Sequence, residues 1–158
     1  MAHNFRMTLD ETDKHLLAAL QKDAHLTAES LGRILNLSPS QAGRRRQRLE
    51  AAGIVQGYAA RLSPQTLGLA VQAFVQVQMA THDPEKVRIF ARIVGARPEI
   101  VSAWTLTGDA DYLLRVYTED LEALNVLIHQ ILLPQPAVAR VQSQIVMDQF
   151  KADAPLPT

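Results

Sequence analysis

Cysteine is absent from the 158 residues, so disulfides, thiolate metal sites and cysteine nucleophiles are excluded. Long hydrophobic runs are absent too. No apolar stretch approaches the roughly 18 residues that a membrane-spanning helix needs, and no membrane partner is expected. The opening segment, "MAHNFRMTLDETDK", has no apolar core of the signal-peptide kind, which points to a cytoplasmic protein. There is no GxxxxGK[ST] phosphate loop and no GxSxG nucleophile elbow. Internal repeats and low-complexity segments are missing as well. The five histidines, His3, His15, His25, His82 and His129, are scattered, and none pairs with another ligand at helical spacing, so no metal site is expected.

Net charge is also absent, with 16 basic against 16 acidic residues. The distribution is uneven. Residues 1–61 hold nine Lys and Arg against six Asp and Glu, and residues 62–158 hold seven against ten. A basic front and an acidic back suggest two domains with different partners. What is present is a globular balance, 47% hydrophobic and 20% charged, and not a disordered one.

The front third contains three short helices. "LDETDKHLLAALQKDA" starts with Asp10 as N-cap and sets Leu9, Leu16, Leu17 and Leu20 on one side. "LTAESLGRILNL" repeats the scheme, with Thr27 as cap, Leu31, Ile34 and Leu35 inward, and Asn36 able to take the left-handed conformation that ends a helix. The third helix lies in "LSPSQAGRRRQRLEAAG", Leu37 to Gly53. Ser38 caps it, Pro39 takes the first helical position, Gln41 completes a capping box and Gly53 supplies the stop.

At 100° per residue, Ala42, Arg45, Arg46 and Leu49 fall on or beside one side of this helix. Ser40, Gln41, Arg44, Gln47, Arg48 and Ala51 fall on the other. The second side carries no acid, whereas a merely solvated helix mixes charges at i,i+4. A short helix, the turn "NLS" and a capped basic helix make the helix-turn-helix pattern, whose second helix enters the major groove of double-stranded DNA. Arg44 suits guanine, and Gln41 or Gln47 suits adenine. Ser38 and Ser40 suit phosphate or a base edge, while Arg45, Arg46 and Arg48 suit the phosphate backbone. Arg46 borders the apolar stripe and must reach outward along it, so it is given no base contact. Gly43 either admits DNA closely or is merely tolerated, at a cost of about 1 kcal/mol relative to alanine.

Residues 54–68 form a strand-like connector, closed by Ser63, Pro64 and Gly68 and apolar enough to pair with another chain. The order beyond it is βαββαβ, the ferredoxin-like split motif. The first strand is "AVQAFVQVQMA", with Val71, Ala73, Val75, Val77 and Met79 on one face. A helix from Asp83-Pro84 turns Val87, Phe90, Ala91 and Val94 inward. Strands over 100–107 and 112–117 flank the turn "TGDAD". A second helix turns Leu121, Leu124, Ile128, Ile131 and Leu132 inward, and a last strand covers 138–147. Helices cover one face of the sheet. Phe74 and Trp104 are candidates for the other, which a dimer stacking sheet on sheet would cover. The expected division is 1–53 helix-turn-helix, 54–68 connector, 69–148 ferredoxin-like domain and 149–158 frayed tail, an α+β chain throughout.

Taken in order, "LDETDKHLLAALQKD", "LSPSQAGRRRQRLEAAGIVQGY", "LGL" at Leu67 to Leu69 and "TGDADYLLRV" resemble the leucine-responsive regulatory protein/AsnC family of feast/famine transcription regulators. Gly43, Arg46 and Ala42 depart from its usual residues. The resemblance implies a winged-type N-terminal domain, a C-terminal ligand-sensing domain, and homodimers that assemble to tetramers or octamers. It implies no cofactor, only an amino-acid-like effector. It places that effector at Thr107, Gly108, Asp109, Ala110, Asp111 and Tyr112, with Trp104 and Ser143 as further lining. Backbone amides around Gly108 suit a carboxylate, and Asp109 or Asp111 suits an ammonium.

The expected function is a sequence-specific DNA-binding transcription regulator, not an enzyme. One rival is an enzyme on a ferredoxin-like dimer with His129 or Asp111 as base, which leaves the basic capped helix unexplained. The other is a DNA-compacting protein without sequence preference, which the groove-facing glutamines oppose.

Overall fold

A computed structural model of the chain describes residues 8–158. Residues 1–7, among them His3 and the start of the expected first domain, lie outside the described residues. The chain divides into two compact units. One runs to Ala60 and includes Lys151–Thr158; the other is Arg61–Phe150.

The first unit has three helices, each begun by a side-chain cap. Helix α1, Glu11–Lys22, starts at Asp10, which accepts from the Asp13 amide at 2.7 Å. Helix α2, Ala28–Leu35, starts at Thr27, which accepts from the Ser30 amide, and ends at Asn36 with φ 55°. Helix α3, Pro39–Ala51, has the expected capping box between Ser38 and Gln41. Its end is a Schellman motif. Gly53 has φ 70°, its amide donates to Glu50 O at 3.0 Å, and the Ile54 amide donates to Leu49 O at 3.0 Å. Leu16, Leu20, Leu31, Ala42 and Leu49 form the buried core, with Leu35, Ile54 and Val55 packed against it.

The α2–α3 turn differs from expectation in one respect. Ile34, placed inward by the sequence pattern, is 53% exposed, and Gly32 is buried in its stead. The reason is a close approach. A Cβ on Gly32 would lie 2.7 Å from Leu37 O and 3.3 Å from Pro39 N. The chain folds back onto α2 at this glycine, and Ile34, about 200° further round the helix, faces solvent. Gly43 has no such constraint. A Cβ there would meet only the Ala28 methyl, at 3.6 Å, so this glycine faces α2 and is not the point of close approach to DNA considered above.

The strand-like stretch expected from Ile54 to Leu62 forms no strand in the single chain, while the turn expected after it, around Pro64 and Gly68, is present. Residues 56–63 have no regular structure and are exposed, and Pro64–Gly68 make a turn in which the Leu69 amide donates to Pro64 O at 2.9 Å. A strand requires a ladder neighbour to answer its amides, and no element of the single chain lies alongside. The tail also differs. It has no secondary structure, but Gln21 holds it by two bonds, Nε2 to Leu156 O at 3.0 Å and Leu156 N to Oε1 at 2.6 Å.

The second unit is the expected βαββαβ. Strands β1 (Val71–Met79), β2 (Ile100–Thr105), β3 (Tyr112–Thr118) and β4 (Val138–Ile145) form one antiparallel sheet in the order β2-β3-β1-β4. Helices α4 (Pro84–Gly95) and α5 (Leu121–Val126), the latter continuing as a π-helix over Leu127–Leu132, supply the packing for one face. Ala73, Val75, Val77, Met79, Leu114 and Val116 bury against Phe90, Val94, Leu124, Leu127, Ile128 and Leu132. Leu121, expected inward, is 59% exposed. It is the first residue of α5, and the buried face starts at Leu124 and continues through Leu127, Ile128 and Leu132. Ala91 is likewise exposed. On the opposite sheet face Phe74 sits across from Arg115 and Gln144, and Trp104 across from Leu113. Phe74 is half-buried and Trp104 is 44% exposed.

These glycines give opposite expectations. Gly43→Ala should stabilise the chain by about 1 kcal/mol through helix propensity alone. Gly32→Ala should destabilise it by about 1–3 kcal/mol, as overpacking does. Urea unfolding followed by far-ultraviolet dichroism measures both, and equal effects would mean that the turn is not packed on Gly32.

Candidate functional site

The cap residues and the next two turns of α3 present Ser38, Ser40, Gln41, Arg44, Gln47 and Arg48 as exposed side chains, with Arg45 half-buried beside them. Leu37, Gln41, Arg44, Arg45 and Arg48 line a shallow cleft of about 320 Å³. All seven expected DNA-facing residues thus share one region, but they are not equally free.

The arginines divide into three kinds. Arg46, expected on the phosphate backbone with Arg45 and Arg48, lies outside the cleft instead. Its Nε donates to Glu50 at 2.8 Å and its Nη1 to Leu26 O at 2.8 Å, and its guanidinium lies 5.0 Å from the centre of the Tyr58 ring. Arg46, and after it the Tyr58 hydroxyl, hold the Glu50 carboxyl below its ordinary range, while burial and the Glu50 bond push the Tyr58 phenol up. Arg45 and Arg48 reach down to α1. Arg45 Nη1 donates to Asp10 at 2.7 Å and to Asp13 at 2.8 Å, and Arg48 Nη2 donates to both oxygens of Asp13 at 2.7 Å. The Arg45 bond and the Asp13 amide bond hold the Asp10 carboxyl below its ordinary range. Arg44 alone makes no hydrogen bond or ion pair among the described residues.

Sequence reasoning set only Glu50 against these arginines and so missed Asp10 and Asp13. A signal existed. Asp13 precedes Leu16 by three residues and Leu20 by seven, so it lies on the apolar side of α1, and it is 1% exposed. An acid on a core-facing stripe requires a buried partner.

Gln41 is similarly committed. Its Oε1 accepts from the Ser38 amide and the Ser38 hydroxyl, both at 3.0 Å. Bidentate recognition of adenine uses the amide oxygen and nitrogen together, so Gln41 cannot provide it without opening the cap. Gln47 makes no hydrogen bond among the described residues and keeps both groups available.

In the second unit the expected effector residues separate. Gly108 turns the chain with φ 116°. Asp111 then ties the turn to β1: its amide donates to Val77 O at 3.0 Å, its carbonyl accepts from the Leu106 amide at 2.8 Å, and its carboxylate accepts from the Met79 amide at 2.7 Å. It serves the fold before any ammonium, although His82 Nε2 approaches it to 3.8 Å. Tyr112 turns to the helical face and packs on Phe90, ring centres 5.4 Å apart. With Trp104, Phe90 and Val94 it lines a separate apolar recess of about 270 Å³. Thr107 and Gly108 are exposed and line neither hollow, and Ser143 is exposed on the helical side, across from Val75.

Asp109 and Ala110 remain, and they join Gln76, Gln78, Arg140 and Gln142 around a cleft of about 170 Å³ on the open sheet face. The register sets Gln78 beside Arg140 and Gln76 beside Gln142. One acid, one guanidinium and three amides offer a set matched to a small zwitterion: donors for a carboxylate, an acceptor for an ammonium. The four residues from β1 and β4 were not foreseen as ligands. Their only trace in sequence is the glutamine alternation on the outward face of β1. Among the described residues no cluster of His, Asp or Glu is arranged to hold a metal, and no helix is long and apolar enough to cross a membrane.

Comparison with known proteins follows the same division. The AsnC-type helix-turn-helix domain matches residues 9–50, and the Lrp/AsnC ligand binding domain matches residues 72–156. The DNA-binding transcriptional activator DecR of Escherichia coli is 34% identical over 149 residues, 94% of this chain and 98% of DecR. The leucine-responsive regulatory protein of Escherichia coli is 33% identical over 143 residues, 90% of this chain and 87% of that protein. The crystal structure of a transcriptional regulator from Neisseria meningitidis in complex with L-Met superposes with a TM-score of 0.90 at 39% identity, covering 95% of this chain and 97% of that one. The chain therefore belongs to the Lrp/AsnC family of transcription regulators, which join a DNA-binding helix-turn-helix domain to a ligand-binding domain.

Proposed function

We propose that paired copies of this chain read duplex DNA with α3, and that an amino acid bound at Asp109 and Arg140 adjusts that binding. The chain acts by binding and not by catalysis, and works in the cytoplasm where its operators lie. The observation that carries the DNA reading is the exposed, acid-free pair Arg44 and Gln47 on a helix whose other arginines are already engaged. Arg44 is placed for guanine and Gln47 for adenine. Ser38 and Ser40, at the positive end of the helix dipole, serve a phosphate. Arg45 and Arg48 keep unused N–H groups for neighbouring phosphates.

Two such helices must reach successive major-groove segments, about 34 Å apart, so the working unit is at least a dimer. The uncovered sheet face with Phe74, Leu113 and Trp104 supports a sheet-on-sheet pair. The connector beyond Gly53, which forms no strand in the single chain, has the composition to pair with its copy. Further association to a tetramer or octamer extends the same contacts.

For the effector, Arg140 takes the carboxylate and Asp109 the ammonium, with Gln76, Gln78 and Gln142 completing the polar wall. The small hollow suits a single amino acid, and its identity is to be sought first among L-methionine and L-leucine, the first bound by the meningococcal neighbour and the second named in the Escherichia coli relative.

Arg44→Ala should reduce affinity for a selected operator by about 1–3 kcal/mol while changing random-sequence binding little. Gel-shift titration on both duplexes measures this, and equal losses on each would remove Arg44 from base readout. A thermal-shift screen of the twenty amino acids identifies the effector, since a ligand of the native state raises the melting temperature. Calorimetry with the strongest hit should then show Arg140→Gln and Asp109→Asn each weakening binding by at least about tenfold, as losing a charge-assisted bond of about 1.5–3 kcal/mol requires. Unchanged affinity in both variants would place the ligand elsewhere.

A further inference from the structure

Asp13 belongs to α1, makes no part of the exposed face of α3, and is 1% exposed. Its carboxylate is nonetheless the meeting point of that face. Oδ1 accepts from Arg45 Nη1 at 2.8 Å and Arg48 Nη2 at 2.7 Å; Oδ2 accepts from Arg48 Nη2 at 2.7 Å and from the Asp10 amide at 3.3 Å. Four hydrogen bonds from three nitrogens answer the two oxygens. Asp10 adds a second acid on Arg45 at 2.7 Å. Two acids and two guanidinium groups thus form one patch of zero formal charge beneath the DNA-facing cleft.

We propose that Asp13 is a positioning residue of the DNA interface, fixing Arg45 and Arg48 as aimed hydrogen-bond donors while cancelling most of their attraction for DNA at large. This rests on the reading of α3 as the DNA-binding helix.

The geometry supports both halves of the statement. A guanidinium has five N–H donors in a planar fork. Arg48 spends only Nη2 on Asp13, which leaves Nε and Nη1, and Arg45 spends only Nη1, which leaves Nε and Nη2. Each plane is anchored from below by a group that does not move with solvent. The free edges retain direction, and direction is what aligns a protein in register on the duplex. Sequence-independent binding is different. It grows with the number of phosphate charges that are neutralised and counterions released, and an arginine already paired with a carboxylate contributes little to it. The interface therefore holds down random-sequence attraction without losing the donors that specific docking needs.

The consequences differ from those of a merely structural ion pair. Asp13→Asn keeps the side-chain shape and removes one charge. It should steepen the dependence of log affinity on log salt by roughly 0.9 per subunit, the value for one newly neutralised phosphate. It should also tighten binding to random-sequence duplex and lower the ratio of operator to random affinity at least fivefold. Asp10→Asn keeps a good N-cap and is half exposed, so it folds whatever the fate of Asp13→Asn, and it should steepen the slope in the same direction by less. Arg48→Lys keeps the charge but loses the Nε and Nη1 donors that the anchored guanidinium plane leaves for the duplex. It should lower the operator-to-random ratio with the slope unchanged.

The probes are an operator selected by the unaltered chain from a random duplex pool and a scrambled duplex of equal length, titrated across a salt series by fluorescence anisotropy below the melting temperature of each variant. If Asp13→Asn and Asp10→Asn lower the melting temperature but leave slope and ratio as they were, Asp13 only holds helices together and the proposal fails. If Asp13→Asn does not fold, an unchanged slope in Asp10→Asn together with an unchanged ratio in Arg48→Lys overturns it equally. Absence of any selected duplex with the unaltered chain would instead refute the DNA-binding reading itself.

Discussion

A carboxylate with almost no exposure persists as a charge only where its lone pairs are answered, because an unpaired buried ion costs several kcal/mol. Asp13 meets that condition with two arginines that arrive from 32 and 35 residues away. The first unit depends on this constraint. Its apolar core has five buried side chains, few enough that packing alone leaves the mutual rotation of α1 and α3 loosely set. The ion set determines it, since the bonds on Asp13 Oδ1 and Oδ2 exist only in one register of α1 against α3. Such a set need not add stability relative to an apolar substitute. Its value lies in specifying one arrangement, and the arrangement it specifies contains the surface on which the function depends.

The same helix answers two demands with one residue type. Arg46 is turned back to Leu26 O and Tyr58, where it closes α3 against the start of α2 and the segment beyond Gly53. Arg45 and Arg48 secure the opposite side against α1, and Arg44 remains over. Four consecutive-looking arginines are therefore one free charge and three constraints. This explains how so basic a helix, with a capping box at one end and a Schellman motif at the other, sits in a chain whose overall charge is zero.

What sequence disclosed and what it withheld follow the range of the interactions. Ser38, Pro39, Gln41 and Gly53 announced the limits of α3 because caps act within four residues. The alternation from Val71 to Met79 announced β1 because a pleat has period two. Ile34 and Leu121 were misplaced because apolar type alone was read as inward: Ile34 lies on the side of α2 away from the contact at Gly32, and Leu121 is the first, exposed residue of α5. Asp13 and Asp10 went unseen as partners of the arginines, and Arg140 and Gln142 as neighbours of Asp109 around one cleft, because each grouping joins distant segments. Periodicity reports on a residue's own element and is silent on which element lies opposite. Gln41 shows a further limit: its type fitted a base contact, but its local cap had already taken the oxygen that such a contact needs.

The open face of the sheet raises a last point about control. Its apolar part lies around Phe74, Leu113 and Trp104, and its polar part, around Gln76, Gln78, Asp109, Arg140 and Gln142, is the proposed seat of the amino acid. Both lie on strands of one sheet, so a second copy laid over the first also changes the surroundings of the cleft. In the proposed arrangement the ligand then distinguishes the covered sheet from the uncovered one, and by reciprocity association must alter ligand affinity by the same factor. A ligand indifferent to that change would shift nothing, however tightly it bound. Control of DNA binding by an amino acid thus requires no signal passed through a helix core. It requires only that the number and spacing of paired α3 helices depend on which face is covered, and that the ligand have a stake in the answer.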